Sequence, residues 1–230
     1  MSEHWVVTGA NRGIGLEFVR QLVARQDRVT ACVRTEEARL ALDARLAPQH
    51  GAVEVRVFDS RDAAAIAAAA KSVAAPVDVV LANAGALGPA PQNPLDLDLE
   101  AALDLFSVNT LGPLRVAQAF LPKLAGAANP RIVLMSSQLG STADVRPGSA
   151  AYAASKAALN KFAQCLAVDL QPRGVAVIAL HPGWVRTDMG GAGAPLAPRE
   201  SVEAALATID GLGADSSGSF LDYAGRRVAW

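Results

Sequence analysis

The sequence lacks an excess of charge of either sign. Its 230 residues include 21 Lys and Arg against 22 Asp and Glu, so the formal net charge is only -1. A chain that binds nucleic acid or an anionic membrane through its electrostatic field carries clustered positive charge, because phosphate groups must be neutralised at physiological salt. We therefore expect no nucleic-acid partner.

Cysteine and histidine are scarce as well. Cys32 lies in a predicted strand and Cys165 in a predicted helix, which is typical of reduced, buried thiols rather than of a disulfide framework. The three histidines show no metal-ligand spacing, and His181 is interpreted as a strand-end histidine whose hydrogen bonds are satisfied. We expect a cytoplasmic protein with no metal site.

Long hydrophobic runs are also missing. Residues 1–4 contain no basic stretch that leads into an apolar run, and no segment approaches the roughly 20 apolar residues that a membrane span requires. We therefore expect neither a targeting segment nor a membrane anchor.

What the sequence does have is a regular alternation of short Val- and Ile-rich runs with Ala-rich helical stretches. This pattern is typical of repeated β-α units around a parallel sheet. Because 51% of the residues are hydrophobic, the chain can bury one substantial core, and we predict a single α/β domain over residues 1–230. Strands are predicted near residues 5–8, 28–33, 53–58, 77–82, 131–136, 175–180 and 220–221. Helices are predicted over residues 14–25, 36–46, 61–73, 99–124, 151–170 and 199–211.

Two segments rich in glycine and proline interrupt this alternation. Residues 85–94 and 189–198 cannot hold a regular hydrogen-bond ladder, and both follow predicted strand ends. Open α/β sheets bind ligands at the carboxyl ends of their strands. The two segments are therefore predicted to be pocket loops.

A glycine-rich turn follows the first predicted strand and precedes an amphipathic helix. Gly9, Gly13 and Gly15 have the spacing Gly-x3-Gly-x-Gly. Glycines at such a place permit a tight turn, let backbone N–H groups approach a pyrophosphate, and allow close contact between helix and sheet. The alternative is a merely flexible connection, but the flanking strand and helix favour a dinucleotide site.

Five short motifs follow one another along the chain. They are Thr8-Gly9-x3-Gly13-x-Gly15, Asn83-Ala84-Gly85, Ser136-Ser137, Tyr152-x3-Lys156 and Pro182-Gly183. On these motifs the chain resembles the short-chain dehydrogenase/reductase family. Residues 135–141, residues 180–189 and the tail that ends in Trp230 resemble the C-factor-like and carbonyl-reductase-like branch of that family.

The resemblance implies a Rossmann-type, doubly wound parallel sheet of seven strands with helices on both faces. It also implies a set of cofactor-binding residues, in which Asp59 faces the adenine, although Asp59 could instead cap the helix that follows. The predicted set is Gly9, Asn11, Arg12, Gly13, Ile14, Gly15, Arg34, Asp59, Ser60, Asn83, Ala84, Gly85, Tyr152, Lys156, Pro182, Gly183, Val185 and Thr187.

The end of the second predicted strand bears on the choice between NADP(H) and NAD(H). An acidic residue at this place would accept hydrogen bonds from a ribose hydroxyl, but the sequence has Arg34. Arg34 can grip a 2′-phosphate, and Arg12 supplies a second cation. Glu36 and Glu37 compete, but they are predicted to lie in the first turn of the next helix behind Thr35 as N-cap. NADP(H) is therefore expected over NAD(H), although Arg34 could be only a solvated loop charge.

Tyr152 and Lys156 are four residues apart in a predicted helix and so share one helix face. The reduction of a carbonyl needs a proton donor, and a neighbouring cation can lower the pKa of a tyrosine for that purpose. By resemblance Lys156 also bonds the nicotinamide ribose. The alternative is that Tyr152 only packs its ring while Lys156 is solvated.

Two further residues complete the predicted catalytic set. Ser137, rather than Ser136, resembles the residue that polarises the substrate carbonyl. Asn109 matches the fourth catalytic position of the family. Pro113 lacks an N–H and so should free the C=O of Asn109, which could hold a water that relays protons to Lys156. The alternative is an ordinary kink with Asn109 bonded to neighbouring backbone.

These residues predict an NADP(H)-dependent oxidoreductase that acts on a small, apolar carbonyl compound or secondary alcohol. The apolar residues of its pocket loops are Leu87, Leu139, Trp184, Met189 and Leu196. The alternative is a cofactor-binding regulatory or signalling protein with little turnover, a role suggested for parts of the C-factor-like branch. By resemblance we expect a homodimer or homotetramer that pairs through the helices over residues 99–124 and 151–170.

Overall fold

The computed structural model describes residues 2–46, 53–74 and 76–230. Its strands are β1 His4–Thr8, β2 Arg28–Val33, β3 Val53–Val57, β4 Val79–Ala82, β5 Arg131–Met135, β6 Ala176–His181 and β7 Ser219–Asp222. They form one parallel sheet in the order β3-β2-β1-β4-β5-β6-β7. The chain leaves β1 toward one sheet edge and β4 toward the other, so a crevice forms at the carboxyl ends of these two strands.

Helices connect the strands. They are α1 Gly13–Ala24, α2 Glu36–Leu46, α3 Ala63–Ser72, α4 Leu99–Phe106, α5 Gly112–Phe120, α6 Ala150–Leu170 and α7 Pro198–Asp210. A π-helical turn, Ser107–Leu111, joins α4 to α5, and short 3-10 turns cover Leu121–Leu124, Gln138–Gly140, Gln171–Arg173 and Ala214–Ser216. None of the helices described has both the length and the apolar composition needed to cross a bilayer.

The sheet is covered on both faces. Val7 of β1 packs in a cluster with residues of α1, α2 and α7, whereas its neighbour Val6 packs in a second cluster with residues of α3, α5 and α6. Successive side chains of a strand point to opposite faces, so each strand of the sheet feeds both cores. The predicted Rossmann-type doubly wound sheet with helices on both faces is confirmed.

The structure corrects the helix predicted over residues 99–124. It breaks this segment into α4, the π-helical turn, α5 and a 3-10 turn. Pro113 has no N–H to donate to Asn109, and the N–H of Gly112 donates to Ser107, five residues back. The π-helical turn thus accommodates the absence of an N–H at Pro113.

Two smaller predictions also change. The fourth strand begins at Val79 rather than at residue 77, because the N–H of Val77 donates to the carbonyl of Lys123 at 2.8 Å instead of joining the sheet. Both cysteines are free, but only Cys32 is buried, whereas Cys165 is exposed on α6. The prediction of two buried thiols was therefore wrong for Cys165.

The segment after β7 folds back onto that edge strand. Arg227 forms an antiparallel bridge with Leu221, and the N–H of Val228 donates to Phe220 at 2.8 Å. The ring of Trp230 then stacks on Phe220 with centroids 5.5 Å apart. This tail covers one side of the last strand.

Candidate active site

The glycine turn lies at the carboxyl end of β1. Gly9 and Gly13 have φ of 67° and 54°, a region that side chains with a Cβ rarely adopt. A Cβ on Gly15 would collide with the carbonyl oxygen of Gly9, so α1 can approach the turn only because this position is glycine. Gly13, Ile14 and Gly15 at the start of α1 line the cleft, and a helix N-terminus favours an anionic group such as a pyrophosphate.

The turn is tied to the end of β4. The side-chain amide of Asn83 donates to the carbonyl of Thr8 at 2.9 Å, and the N–H of Ala84 donates to the hydroxyl of Thr8 at 3.0 Å. These bonds close the floor of the crevice between β1 and β4.

A cleft of about 1020 Å³ runs along this floor. Pockets for drug-sized ligands reach about 1,000 Å³, so the space suits a molecule as large as a dinucleotide. The predicted cofactor residues that line it are Gly9, Asn11, Arg12, Gly13, Ile14, Gly15, Arg34, Asp59, Ser60, Asn83, Ala84, Gly85, Tyr152, Lys156, Pro182 and Thr187. Gly183 and Val185 lie outside the wall, and Val185 is buried in a bridge to Leu196.

Tyr152 and Lys156 stand one turn apart in α6 and both line the cleft. The ammonium of Lys156 lies 5.9 Å from the centre of the Tyr152 ring and donates to the carbonyl of Met135 at 2.7 Å. Ser137 lies close enough to the Tyr152 hydroxyl to oppose the rise that burial causes in the pKa of the phenol. The helix therefore brings a phenol and an ammonium together in the cleft, with the Ser137 hydroxyl beside the phenol.

The two candidate serines behave differently. The hydroxyl of Ser136 donates to the buried side chain of Asn160 at 2.5 Å. Ser137 follows the end of β5, accepts a bond from the N–H of Leu139 at 3.2 Å and faces Tyr152. Ser136 lines the cleft but its hydroxyl is engaged by Asn160, whereas Ser137 is outside the lining but next to the phenol, so the role of Ser137 stays a prediction.

Asn109 is completely buried in the π-helical turn and does not line the cleft. Its amide accepts from the N–H of Ala86 at 2.8 Å and donates to the carbonyl of Ala86 at 2.9 Å. The side chain thus bonds the backbone of a loop 23 residues away rather than the neighbouring backbone that the alternative interpretation expected, and it fixes the chain just after Gly85. The water relay through its main-chain carbonyl stays a prediction.

Comparisons with known proteins agree with this geometry. Residues 3–194 match the family described as short chain dehydrogenase. The protein named C-signal from Myxococcus xanthus is 44% identical over 162 residues, which are 67% of this chain and 93% of that protein. The chain is a short-chain dehydrogenase. The predicted family is confirmed, and the protein is an oxidoreductase of that family.

Two solved structures resemble this dehydrogenase over its whole length. The NADPH-bound carbonyl reductase from chicken fatty liver is 33% identical with a TM-score of 0.91, covering 100% of this chain and 99% of that one. The carbonyl reductase Sniffer of D. melanogaster is 32% identical with a TM-score of 0.91, covering 100% of both chains. The predicted branch of the family is also confirmed by these relatives.

The electrostatics of the dehydrogenase site correct one prediction. Burial raises the pKa of Tyr152, and the neighbouring hydroxyl of Ser137 only partly opposes this effect. We expected Lys156 to lower the pKa of Tyr152, but its ammonium is directed to Met135, and burial lowers the pKa of Lys156 itself to about 8. Desolvation therefore dominates both groups, because each charged form loses its water.

The adenosine end of the cleft contains both charge signs. Arg34 is exposed and lines the cleft, whereas Arg12 pairs with Asp188 at 3.3 Å. Glu36 and Glu37 lie in the first turn of α2, and the hydroxyl of Thr35 accepts from the N–H of Ala38 at 3.2 Å, as predicted. Glu37 nevertheless lines the cleft as well.

Asp59 lines the cleft and does not cap the following helix. The N-cap of α3 is Asp62, whose side chain accepts from the N–H of Ala65 at 2.9 Å. The hydrogen bond from Arg61 is the main cause of a pKa of Asp59 below its ordinary value, and the charge of Arg34 adds to this effect. The alternative of a capping role for Asp59 was therefore wrong.

His181 at the end of β6 also differs from expectation. Within the described part of the chain its Nδ1 is buried and has no hydrogen-bond partner, so it is not the satisfied histidine that we predicted. Asp222 is the sheet partner of His181. Its carboxylate oxygens accept hydrogen bonds from the N–H groups of Ala224 and Arg226 and from the Arg226 side chain. Burial lowers the pKa of His181 to about 4, which keeps the ring neutral at ordinary pH.

The apolar pocket residues are only partly in the cleft. Leu87 and Met189 line it, whereas Leu139, Trp184 and Leu196 do not. The indole of Trp184 instead donates to the carbonyl of Gly190 at 2.8 Å and braces the loop that follows β6.

Sequence reasoning missed Asn160. Its side chain accepts from the hydroxyl of Ser136 and donates to the carbonyl of Gly140 at 3.1 Å, so it holds the turn that contains Ser137. The available signal was its spacing, because Asn160 follows Lys156 by four residues and so shares the helix face of Tyr152.

Proposed function

We propose that this dehydrogenase is an NADP(H)-dependent oxidoreductase that transfers a hydride between the nicotinamide and a small, apolar carbonyl compound or secondary alcohol. One observation carries the proposal. Tyr152, with Ser137 near its hydroxyl and Lys156 one helical turn away, lies in the same cleft as the glycine turn. A proton donor and a dinucleotide cradle thus share one continuous space.

Each residue has a distinct role in this proposal. Tyr152 gives a proton to the carbonyl oxygen during reduction and takes it back during oxidation. Ser137 donates a hydrogen bond to the same oxygen, where negative charge develops. Lys156 holds the ribose, while Asn109 and Gly85 keep the backbone beside it in place. The bound nicotinamide would supply or accept the hydride.

The cofactor is proposed to be NADP(H). Arg34 is exposed at the cleft wall, where it can form a forked, charge-assisted contact with a 2′-phosphate. The chicken carbonyl reductase has NADPH bound, and a short-chain dehydrogenase from Burkholderia multivorans has NADP bound. These neighbours support NADP(H) over NAD(H).

The substrate class rests on the open end of the cleft. Leu87 and Met189 supply apolar surface within the same cleft as Tyr152, so an apolar carbonyl compound is favoured. The names of the two carbonyl reductases support the same class of reaction.

The decisive experiment is NADPH oxidation with a panel of aldehydes, ketones and quinones, compared between the wild type and Tyr152→Phe. We expect turnover in the wild type, a loss of roughly a hundredfold or more in the variant, and unchanged NADPH binding in both. Equal turnover in the variant would remove Tyr152 from the mechanism.

A second candidate is a cofactor-binding signalling protein with little turnover. The 44% identity to C-signal favours this candidate. The presence of Tyr152 and Lys156 in one cleft, with Ser137 next to the phenol, argues for turnover instead. Tight NADPH binding without oxidation of any compound in the panel would favour the signalling role.

The assembly is proposed to be a homodimer or homotetramer. Leu103 on α4, Leu111 in the π-helical turn, and Phe162 and Val168 on α6 are exposed apolar residues on the predicted pairing helices. Sedimentation of the wild type and Phe162→Lys tests this, with dissociation expected in the variant; a wild-type monomer would contradict the proposal. A cytoplasmic location stays a prediction.

A further inference from the structure

The first turn of α6 receives its cap from a distant loop. The preceding residue, Ser149, makes no side-chain capping bond, although the first N–H groups of a helix need acceptors from outside it. Gln92, in the loop after β4, supplies two of them. Its side-chain oxygen accepts from the N–H of Tyr152 at 2.9 Å, and its main-chain carbonyl accepts from the N–H of Ala150 at 3.1 Å.

The same side chain also holds the pocket loop. The amide nitrogen of Gln92 donates to the carbonyl of Leu87 at 2.7 Å. Gln92 is only 7% exposed, whereas Leu87 is 52% exposed and lines the same cleft as Tyr152. One buried amide therefore joins the apolar wall of the pocket to the backbone of the proposed proton donor.

We propose that Gln92 is a positioning residue that sets the spacing between Leu87 and Tyr152. The inference rests on the proposed function, because a substrate must place its oxygen at Tyr152 and its apolar part against Leu87. A buried amide with both ends satisfied has a single preferred arrangement, since a shift at either end leaves a polar group unpaired. Gln92 thus makes the enzyme selective for substrates in which the distance between the carbonyl oxygen and the apolar part matches this spacing.

The two ends of the amide can be separated by substitution. Gln92→Glu keeps an acceptor for the Tyr152 N–H, and a carboxylate is favoured at a helix N-terminus, but it has no donor for Leu87 when ionised. Gln92→Leu removes both contacts. Asn93→Ala is the matched control, because Asn93 is exposed in the same loop and its side chain accepts only from Leu95.

Kinetics with the best ketone or quinone of the panel, at about pH 8 where a carboxylate is ionised, should split the variants. For Gln92→Glu we expect kcat within about twofold of the wild type and KM raised roughly tenfold. The reason is that the variant loses the bond to Leu87 but keeps the bond to the N–H of Tyr152. For Gln92→Leu we expect kcat to fall roughly tenfold as well. Asn93→Ala should match the wild type, and NADPH affinity should be unchanged in all.

Amide hydrogen exchange provides a readout that needs no turnover. The Tyr152 amide should exchange roughly tenfold faster in Gln92→Leu but not in Gln92→Glu, since only the first loses the acceptor. If the wild type oxidises no NADPH, the proposed function fails while this measurement still tests the cap. Unchanged exchange at Tyr152 in Gln92→Leu, or equal kcat and KM in the two Gln92 variants, would overturn the role of Gln92. If Gln92→Glu does not fold, the exchange rate of the Tyr152 amide in Gln92→Leu decides the role of Gln92 by itself.

Discussion

Burial acts in opposite directions on the two ionisable groups of the proton-donor pair. It raises the pKa of Tyr152 and lowers the pKa of Lys156, because in each case the neutral form is favoured in a site without water. At the residue scale, the site therefore begins with a protonated phenol, which is the form that carbonyl reduction requires. Lys156, with a pKa of about 8, still carries its charge for the most part at neutral pH.

Lys156 should make folding stability depend on pH. Its pKa of about 8 in the folded chain is below the ordinary 10.5, so between these values the folded chain binds fewer protons than the unfolded chain. The free energy of unfolding therefore rises with pH across this window. Urea titrations should show the rise in the wild type and not in Lys156→Met. Lys161→Met, at an exposed position of α6, should keep the rise, and equal slopes in the wild type and Lys156→Met would refute the assignment.

Arg34 should decide the cofactor preference. Removal of a charge-assisted contact costs about 1.5 to 3 kcal/mol, so Arg34→Ala should weaken NADPH binding roughly 10- to 100-fold. NADH has no 2′-phosphate and should bind equally to both proteins. Fluorescence titration measures both affinities, with Arg20→Ala on α1 as the control. Equal losses for NADPH and NADH would mean that Arg34 does not contact the 2′-phosphate.

Among the secondary-structure elements, the segment from α4 to α5 differs most from its prediction. Sequence reasoning located the irregularity at Pro113 but treated the surrounding segment as one helix. The structure instead inserts the turn Ser107–Leu111, which directs the side chain of Asn109 to the backbone of Ala86. A local proline effect therefore fixes the chain beside Gly85 and Lys156.

Pro113→Ala tests that element. The new N–H can donate to Asn109, so the turn should tighten toward a regular helix and occupy the carbonyl that the proposed relay needs. We expect kcat to fall roughly tenfold with little change in NADPH affinity. Pro122→Ala, in the turn Leu121–Leu124, removes a proline away from the cleft and should leave kcat unchanged. Full turnover in Pro113→Ala would count against the relay.

The tail after β7 should stabilise the turn that contains Ser137. Trp230 stacks on Phe220, and its main-chain oxygen accepts from the hydroxyls of Ser141 and Thr142 at 3.3 and 3.1 Å. Loss of the ring in Trp230→Ala should lower the free energy of unfolding by about 2 kcal/mol and speed hydrogen exchange over residues 138–143. Trp230→Phe should retain most of both. Wild-type behaviour of Trp230→Ala would show that the ring is dispensable.

At the scale of the whole molecule, one sheet joins distant parts of the chain. β1 lies between β2 and β4, and β5 connects that centre to β6 and β7. Both hydrophobic clusters take residues from early and late strands, including Val7 and Leu221 in one and Val6 and Phe220 in the other. Each core is therefore built from both the early and the late part of the chain.

We propose that residues 1–230 fold as one cooperative unit. Unfolding in urea should give a single transition with the same midpoint by far-UV circular dichroism and by tryptophan fluorescence. Trp5 is buried in the centre of the sheet and Trp230 lies at its edge, so the fluorescence signal reports on both regions. Two separated transitions, or different midpoints for the two signals, would contradict the single unit.

Much of the fold and of the cofactor site could be predicted because the relevant signals are local. The Val-rich runs, the spacing of Gly9, Gly13 and Gly15, and the four-residue interval between Tyr152 and Lys156 each depend on neighbours in the chain. Sequence reasoning failed at His181 and Cys165, where exposure and hydrogen-bond partners depend on elements far away in sequence.

The sequence by itself determined the order of the elements, the place of the glycine turn and the pair Tyr152 and Lys156. The packing of the fold was needed to show that burial governs the pKa of Lys156 and that Gln92 caps a helix 60 residues away. The physical reason is that helix faces and tight turns follow from local geometry, whereas desolvation and hydrogen-bond partners arise only when distant segments pack together.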